Sequence, residues 1–159
     1  MSGPVDRVDL VVVGAHLSGQ PLNDELRRLG GTLVGPVRTA AAYRLCALDT
    51  TPPKPGLLRV RAGGGVVGGE HWRLPSAGLG ALVAALPRPM SIGAVELDDG
   101  RELPGFLVEA CAAEGAPDIT AYGGWPAYLA YLEGVRPSRS SIRASRAATA
   151  ASLPWSVGT

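Results

Sequence analysis

An unbroken apolar run near the start of the chain predicts the first element. Leu10–Val13 consists mainly of valine, which is typical of a short strand that is buried on both faces. At Gly14 the run gives way to small and polar residues. Helical spacing begins at Leu22, with Leu26 and Leu29 following at i+4 and i+7. The segment therefore predicts a strand, a glycine-rich turn and a helix.

The same pattern analysis predicts the elements that follow. Short apolar or alternating runs indicate strands, and apolar stripes at helical spacing indicate helices. Gly35-Pro36 interrupts the second strand, which predicts a bulge or an edge position. The predicted strands cover residues 32–39, 42–48, 57–61, 66–74, 90–97 and 101–108, and the predicted helices cover 76–86 and 125–132.

Two hairpins and one stiff loop connect these elements in the prediction. One hairpin joins 57–61 to 66–74 around Gly63-Gly64-Gly65, and the other joins 90–97 to 101–108 across Asp98-Asp99-Gly100. Residues 49–56 contain three prolines, so we expect a stiff loop rather than a flexible linker. We interpret this loop as a wall that borders another part of the fold. Short connections favour antiparallel pairing. The predicted class is α+β, a small mixed or antiparallel β-barrel with flanking helices.

Composition narrows the classes of function. At 159 residues with 46% hydrophobic content, the chain is long enough for one domain with a real core. We assign residues 1–134 to that domain and residues 135–159 to an Arg/Ser/Ala-rich tail that is mobile in part. The mildly acidic body and 5% aromatic content argue against nucleic-acid binding. No apolar run approaches the length of a membrane span.

The cysteines and the N-terminal residues indicate which cellular compartment to expect and whether to expect a metal site. Cys46 and Cys111 form no close-spaced pair, which fits reduced and mostly buried thiols. With no secretory signal pattern, we expect a cytoplasmic protein. Neither cysteine has zinc-ligand spacing with a histidine, so no metal or other cofactor is expected. A homodimer is left open.

A literal G-x-G-x-x-G occurs at residues 63–68. A dinucleotide site would require a helix to begin there, with its N-terminus on the pyrophosphate. The residues that follow have a strand pattern instead. We therefore interpret the glycines as a hairpin turn.

The turn after the first strand holds the best candidate for proton chemistry. An imidazole such as His16 can donate or accept a proton near neutral pH. The backbone N–H groups of Leu17 to Gln20 could hold a carboxylate or an oxyanion, or the turn could simply reverse the chain. His71 is expected at an edge or on the surface, and Cys46 in the core. Ser18 lacks a Gly-x-Ser-x-Gly elbow.

The turn also carries a family resemblance. The sequence Val-Gly-Ala-His-Leu-Ser-Gly-Gln-Pro-Leu-Asn at residues 13–23 resembles the signature of the allophanate hydrolase C-terminal domain. Further segments agree in order, so that the resemblance spans residues 8 to about 132. These segments are 43–45, 51–57, 92–101, 105–107 and 118–125.

The resemblance implies a gamma-glutamyl cyclotransferase-like fold and a small-molecule enzyme. In the allophanate hydrolase variant, the histidine that matches His16 serves the decarboxylation of an N-carboxylated carbamate or urea-type compound. For such a substrate we expect a binding set that includes two side chains further along the chain, Asn23 and Tyr43, as hydrogen-bond partners. The turn supplies the rest of this set: Gly14, Ala15, Leu17, Ser18, Gly19 and Gln20.

Two alternatives remain beside this interpretation. Allophanate hydrolases carry an amidase domain ahead of this one, and the chain starts seven residues before the strand. We therefore expect either a partner or assembly module for a separate amidase, or a relative used on another small substrate. Cyclotransferases use a glutamate in the region that matches residues 84–90, where this chain has no carboxylate. Cyclotransfer or acyl transfer would thus need another acid/base, such as Glu70 or Glu96.

Overall fold

The computed structural model describes residues 6–135. Its strands are β1 (Arg7–Val12), β2 (Thr32–Arg38), β3 (Tyr43–Leu48), β4 (Lys54–Arg59), β5 (Gly68–Pro75), β6 (Met90–Glu96) and β7 (Glu102–Val108). Its helices are α1 (Asn23–Arg28), α2 (Ser76–Ala84), α3 (Ala110–Ala113) and α4 (Trp125–Val135), with a 3-10 turn at Thr120–Tyr122. The predicted tail lies, from residue 136 onward, outside the described residues.

Five strands form one sheet in the order β2-β5-β1-β7-β6. β1 runs antiparallel to β5 along its whole length and parallel to β7, where Val11 is opposite Gly105. A Cβ on Gly105 would lie 2.6 Å from Val95 and 3.0 Å from the Val11 carbonyl oxygen, so only glycine allows this close approach. The central position of β1 explains its continuous apolar run, because both of its faces are covered.

The second strand, β2, has both of the features predicted from its Gly35-Pro36 pair. β2 lies at an edge of the sheet, and its register with β5 shifts between Leu33 and Gly35. Proline cannot donate a backbone hydrogen bond, so it is tolerated where the ladder is interrupted or faces solvent. Both predicted consequences, the bulge and the edge position, are present.

One predicted hairpin is confirmed and the other is wrong. β6 and β7 pair antiparallel from Met90–Val108 to Glu96–Glu102, across the predicted turn. The predicted partner strands 57–61 and 66–74 do not pair with each other. β4 instead begins at Lys54 and pairs with β3, while β5 lies between β2 and β1. The glycine-rich segment connects two sheets rather than closing a hairpin.

The predicted barrel is not closed. β3 and β4 form a separate two-stranded sheet. The edge strands of the larger sheet approach each other at one end, where Thr39 bridges Leu97 and the N–H of Ala40 donates to the Glu96 carbonyl. The result is a curved mixed sheet with flanking helices. The predicted α+β class is confirmed. Only the closure of the sheet into a barrel differs from the prediction.

The core lies on both faces of β1. Leu10, Val12 and Trp72 are fully buried, and Leu26 of α1 and Leu82 of α2 pack onto the sheet from the helices. Burying side chains of this size is the main stabilising contribution of such a core. The longest described helix, α4, has 11 residues. No helix within residues 6–135 has the length and apolar character needed to cross a membrane.

The structure corrects two expectations about side-chain exposure. His71 was expected at an edge or on the surface, but β5 is an interior strand and His71 is 4% exposed. Its Nε2 lies 2.7 Å from Asp9 Oδ1, and this hydrogen bond holds the pKa of Asp9 below its ordinary value. Cys46 is buried as expected, whereas Cys111 in α3 is exposed. Both are free thiols.

Candidate functional site

The turn between β1 and α1 is held by its own backbone. The N–H of Leu17 donates to the Gly14 carbonyl, and the N–H of Leu22 donates to the Ala15 carbonyl. The first bond closes a tight turn at residues 14–17, and the second closes the wider loop of residues 15–22. The turn therefore has a defined shape, and it presents His16 at the end of a central strand.

His16 is held on three sides. Its Nε2 lies 2.9 Å from Glu25 Oε2, its ring stacks on Phe106 with centroids 4.7 Å apart, and its carbonyl accepts a 2.8 Å hydrogen bond from Asn23 Nδ2. Desolvation by burial lowers the pKa of His16, Glu25 opposes this effect, and the positive charge of Lys54 adds to it. The neutral imidazole is thus favoured.

A pocket with a cavity volume of about 60 Å³ opens beside His16. That volume has room for about four water-sized groups, so the pocket suits a small molecule. Its polar lining side chains are His16, Glu25 and Lys54. The remaining side chains are mostly apolar, including Leu22, Leu57, Leu82, Leu86, Met90 and Phe106. An apolar lining of this kind lowers the local dielectric constant, which strengthens electrostatic interactions within the pocket.

The proline-rich segment forms one wall of this pocket. Lys54 and Pro55 line it, which confirms the expectation that this stiff segment borders another feature. Pro55 packs so closely on Gly14 that a Cβ at that position would lie 2.4 Å from Pro55 Cδ. This contact joins the first residues of β4 to the turn that carries His16.

Part of the predicted binding set lies at the pocket. Gly14, Ala15 and His16 line it. The other members of the turn do not, and three of their N–H groups already have protein acceptors: Leu17 donates to Gly14, Gln20 to Leu17, and Ser18 to the Glu70 carboxylate at 2.7 Å. The structure therefore gives no support to an anion site built from these N–H groups. Gly19 takes up a positive φ of 79° in the turn.

The two predicted side-chain donors are occupied elsewhere. Asn23 is buried, donates to the His16 carbonyl and accepts from Arg27 Nε. The Tyr43 hydroxyl accepts a 2.8 Å bond from the Glu96 N–H and is fully buried between the two sheets. Neither side chain lines the pocket. Asn23 instead positions the turn that carries His16.

Of the two glutamates considered for acyl transfer, one is near the turn. Glu70 Oε1 accepts from the Ser18 N–H at 2.7 Å and from Trp72 Nε1 at 3.3 Å. Glu96 instead lies 3.4 Å from Arg59. Glu70 is thus within hydrogen-bond reach of residues 14–20, but it does not line the pocket.

Sequence reasoning did not assign to the site three side chains that contact His16 or bring charge to the pocket, namely Glu25, Lys54 and Phe106. Glu25 had no sequence signal that linked it to His16, because it lies nine positions further along, among other charged residues in the first turn of α1. Lys54 and Phe106 carried a signal in the composition, because they are the only lysine and the only phenylalanine in the chain. A residue type that occurs once in a chain of 159 can mark a special position, but this signal alone cannot place two such residues together.

The arrangement of strands and helices defines a protein of the gamma-glutamyl cyclotransferase-like fold class. A solved gamma-glutamyl cyclotransferase superposes on 84% of this chain and 90% of its own with a TM-score of 0.51. At 14% identity, this likeness concerns the fold alone.

Within that class, the chain belongs to the family of the allophanate hydrolase C-terminal domain, whose sequence model matches residues 8–130. Urea amidolyase of Lachancea kluyveri is 38% identical over 135 residues, which are 82% of this chain and 7% of that protein. Allophanate hydrolase of Kluyveromyces lactis is 37% identical with a TM-score of 0.75, over 79% of this chain and 21% of that one. A protein specific to uropathogenic E. coli is also 37% identical, with a TM-score of 0.73, over 79% and 97%.

Proposed function

We propose that this protein is an enzyme that removes carbon dioxide from a small N-carboxylated compound of the carbamate or urea type. The observation that carries the proposal is the buried imidazole of His16 at the pocket, paired at 2.9 Å with the Glu25 carboxylate. A paired histidine and carboxylate can deliver and recover a proton near neutral pH. Membership in the allophanate hydrolase C-terminal family supports the choice of substrate class.

The reaction needs one proton and no cofactor. In R–NH–COO⁻ the carbon–nitrogen bond breaks, and its electron pair stays on nitrogen. The nitrogen takes a proton from the His16–Glu25 pair, so that R–NH₂ and carbon dioxide leave. The pair then regains one proton from solvent.

The surroundings of His16 suit this step. Burial lowers the pKa of His16, which favours the neutral imidazole. An anionic substrate favours the charged imidazolium, because an opposite charge nearby stabilises the protonated form. Binding of substrate and uptake of the needed proton are thus coupled. The apolar wall disfavours the carboxylate relative to neutral carbon dioxide.

The test is the rate of carbon dioxide release from a ¹³C-labelled N-carboxylated carbamate and N-carboxylated urea, measured by NMR and corrected for uncatalysed loss. General acid catalysis typically contributes ~10²–10⁴-fold. We expect His16→Gln to lower kcat/KM by about that factor. Glu25→Gln is expected to lower it less, because the imidazole remains.

Asp24→Asn is the matched control for Glu25→Gln. Asp24 is the neighbouring acid in α1 and is exposed, so its loss changes the net charge equally but leaves the pocket intact. We expect wild-type rates in this variant. Wild-type turnover in a folded His16→Gln protein would refute the proposal.

A second candidate is a module that assists a separate amidase. The relative from Lachancea kluyveri contains the matching segment within a much longer chain, of which this chain spans 7%. This observation favours a function that is carried out together with other domains. The test is whether the protein binds an amidase that produces N-carboxylated compounds and changes its turnover, with His16→Gln as the comparison. Equal assistance by both forms would favour the module over the enzyme.

Acyl transfer of the cyclotransferase kind has one observation in its favour, the reach of Glu70 to the turn. The Glu70 carboxylate already accepts two hydrogen bonds and does not line the pocket. Release of 5-oxoproline from a γ-glutamyl amide, lost on Glu70→Gln, would support this activity. We rank it below decarboxylation.

A further inference from the structure

Glu70 ties the turn that carries His16 to a neighbouring strand of the sheet. It is half-buried and lies in β5, next to the central strand β1. Its Oε1 accepts a 2.7 Å hydrogen bond from the Ser18 N–H. The N–H groups of Leu17 and Gln20 donate to carbonyls within the turn, whereas that of Ser18 depends on this side chain from another strand. The bond thus fixes the turn two residues after His16.

The Glu70 carboxylate is itself held in place by a second donor. Trp72 Nε1 lies 3.3 Å from the same Oε1, and Trp72 is fully buried. Among residues 6–135, no arginine or lysine lies within ion-pair distance of Glu70. The carboxylate therefore relies on N–H donors, and a hydrogen bond to an ionised acceptor is shorter and stronger than one to a neutral acceptor.

The contact that holds His16 from the other side converges on the same tryptophan. Asn23 Nδ2 donates to the His16 carbonyl, and Arg27 Nε donates to Asn23 Oδ1 at 2.9 Å. The guanidinium carbon of Arg27 lies 5.3 Å from the centre of the Trp72 ring, which is within range of a cation–π interaction. Both attachments therefore end on one buried side chain, and the segment from His16 to Ser18 is fastened at two points.

The position of this segment determines where the imidazole lies. His16 pairs with Glu25 at 2.9 Å and stacks on Phe106, and both contacts require the turn to stay in place. A misplacement of about 1 Å can lower the rate of a reaction roughly 10²-fold. Glu70 does not line the pocket, so its influence on a reaction there passes through the turn.

Resting on the proposed function, we propose that Glu70 is a positioning residue that holds His16 in its reacting geometry through the Ser18 N–H. This role requires the reach of the side chain and an acceptor oxygen, whereas acid–base chemistry requires the ionisable group. Glutamine keeps the length and an acceptor oxygen, and aspartate keeps the charge but is one CH₂ shorter. The two substitutions therefore separate positioning from chemistry.

The first test measures kcat and KM for carbon dioxide release in Glu70→Gln, Glu70→Asp and Glu70→Ala. We expect the aspartate and alanine variants to lose roughly 10- to 100-fold in kcat, because the turn is released. KM should change less than about threefold, since Glu70 does not line the pocket. Glu70→Gln should keep kcat within about threefold of the wild type, because a neutral oxygen is a weaker but sufficient acceptor.

The matched control is the same set of substitutions at Glu102. This glutamate is exposed, lies in β7 and does not line the pocket. We expect wild-type kcat and KM in all three control variants. A kcat loss in Glu70→Gln as large as that in Glu70→Asp would overturn the positioning role.

The second test does not depend on turnover. Ring ¹⁵N and ¹H signals of labelled histidine report the contact between His16 Nε2 and Glu25 in the absence of substrate. His71, the other histidine of the chain, is the internal reference, because adjacent residues of a strand point to opposite faces and His71 bonds to Asp9.

We expect the His16 signals to move in Glu70→Asp and Glu70→Ala but not in Glu70→Gln, while the His71 signals stay in place. A general disturbance of β5 would move both sets of signals, and that result would overturn the inference, as would unchanged His16 signals in Glu70→Asp. If Glu70→Ala does not fold, the comparison of Glu70→Asp with Glu70→Gln still decides.

The two proposals fail in different ways. If the His16 signals do not respond to Glu70, the positioning role is wrong, while the turnover of His16→Gln still tests the decarboxylase. If the His16 signals respond as expected but His16→Gln keeps full turnover, Glu70 holds the turn and the proposed function is wrong.

Discussion

Gly14→Ala tests whether the contact between the His16 turn and the proline-rich wall holds the site together. An alanine Cβ at this position would lie 2.4 Å from Pro55 Cδ and 2.5 Å from Pro55 Cγ. Carbon atoms in good contact are about 3.5–4.0 Å apart, so one side must move by about 1 Å or more. The proline ring cannot rotate away, and the strain falls on the turn and on β4 together.

Overpacking of this kind costs about 1–3 kcal/mol in the free energy of unfolding. Urea unfolding, followed by circular dichroism, measures this cost. The control is Gly80→Ala in α2, where a Cβ meets nothing within 4 Å. Alanine is the better helix former, so this control should gain about 0.5–1 kcal/mol. The two substitutions add the same methyl group and should change stability in opposite directions.

The same variant tests the link to function. Moving the turn relative to β4 displaces His16 in the pocket, so release of carbon dioxide from the N-carboxylated substrates should slow in Gly14→Ala even when the protein is folded. Gly80→Ala should turn over as the wild type does. A Gly14→Ala protein with unchanged stability and unchanged turnover would refute the close contact between Gly14 and Pro55.

Two further predictions concern the surroundings of His16. Asn23→Ala leaves the buried His16 carbonyl without its 2.8 Å partner and should lower the free energy of unfolding by about 1–3 kcal/mol in urea titrations; stability equal to that of Asp24→Asn would contradict this. Burial lowers the pKa of His16 below its ordinary value of 6.5, so as the pH falls below 6.5 the unfolded chain binds a proton that the folded state does not. The stability of the wild type should thus be complete above that pH and fall below it, less steeply in His16→Gln. Parallel stability curves for the two proteins would refute the assignment.

Local patterns were sufficient for most of the elements. The apolar run of β1, the Asp-Asp-Gly turn between β6 and β7, and the Gly-Pro interruption of β2 all produce their effects within a few residues. Such signals depend on steric preferences of the backbone and on side-chain periodicity, which are properties of the segment itself. They could therefore be interpreted without knowledge of the rest of the chain.

Pairing between distant strands could not be predicted in this way. Residues 63–65 have the composition of a hairpin turn, yet β4 pairs with β3 and β5 pairs with β1 and β2. A glycine-rich turn permits a reversal of the chain but does not select the strand's neighbour. That selection depends on which apolar faces can be covered together.

By itself, the sequence determined that a histidine stands in a glycine-rich turn at the end of a buried strand, because that feature lies within about a dozen consecutive residues. Only the tertiary structure decided what surrounds it. Glu25 approaches from α1, Lys54 from β4 and Phe106 from β7, and the N–H groups of Leu17, Ser18 and Gln20 donate to acceptors within the protein. Contacts between residues far apart in the chain follow from the packing of whole elements, and no local pattern records them.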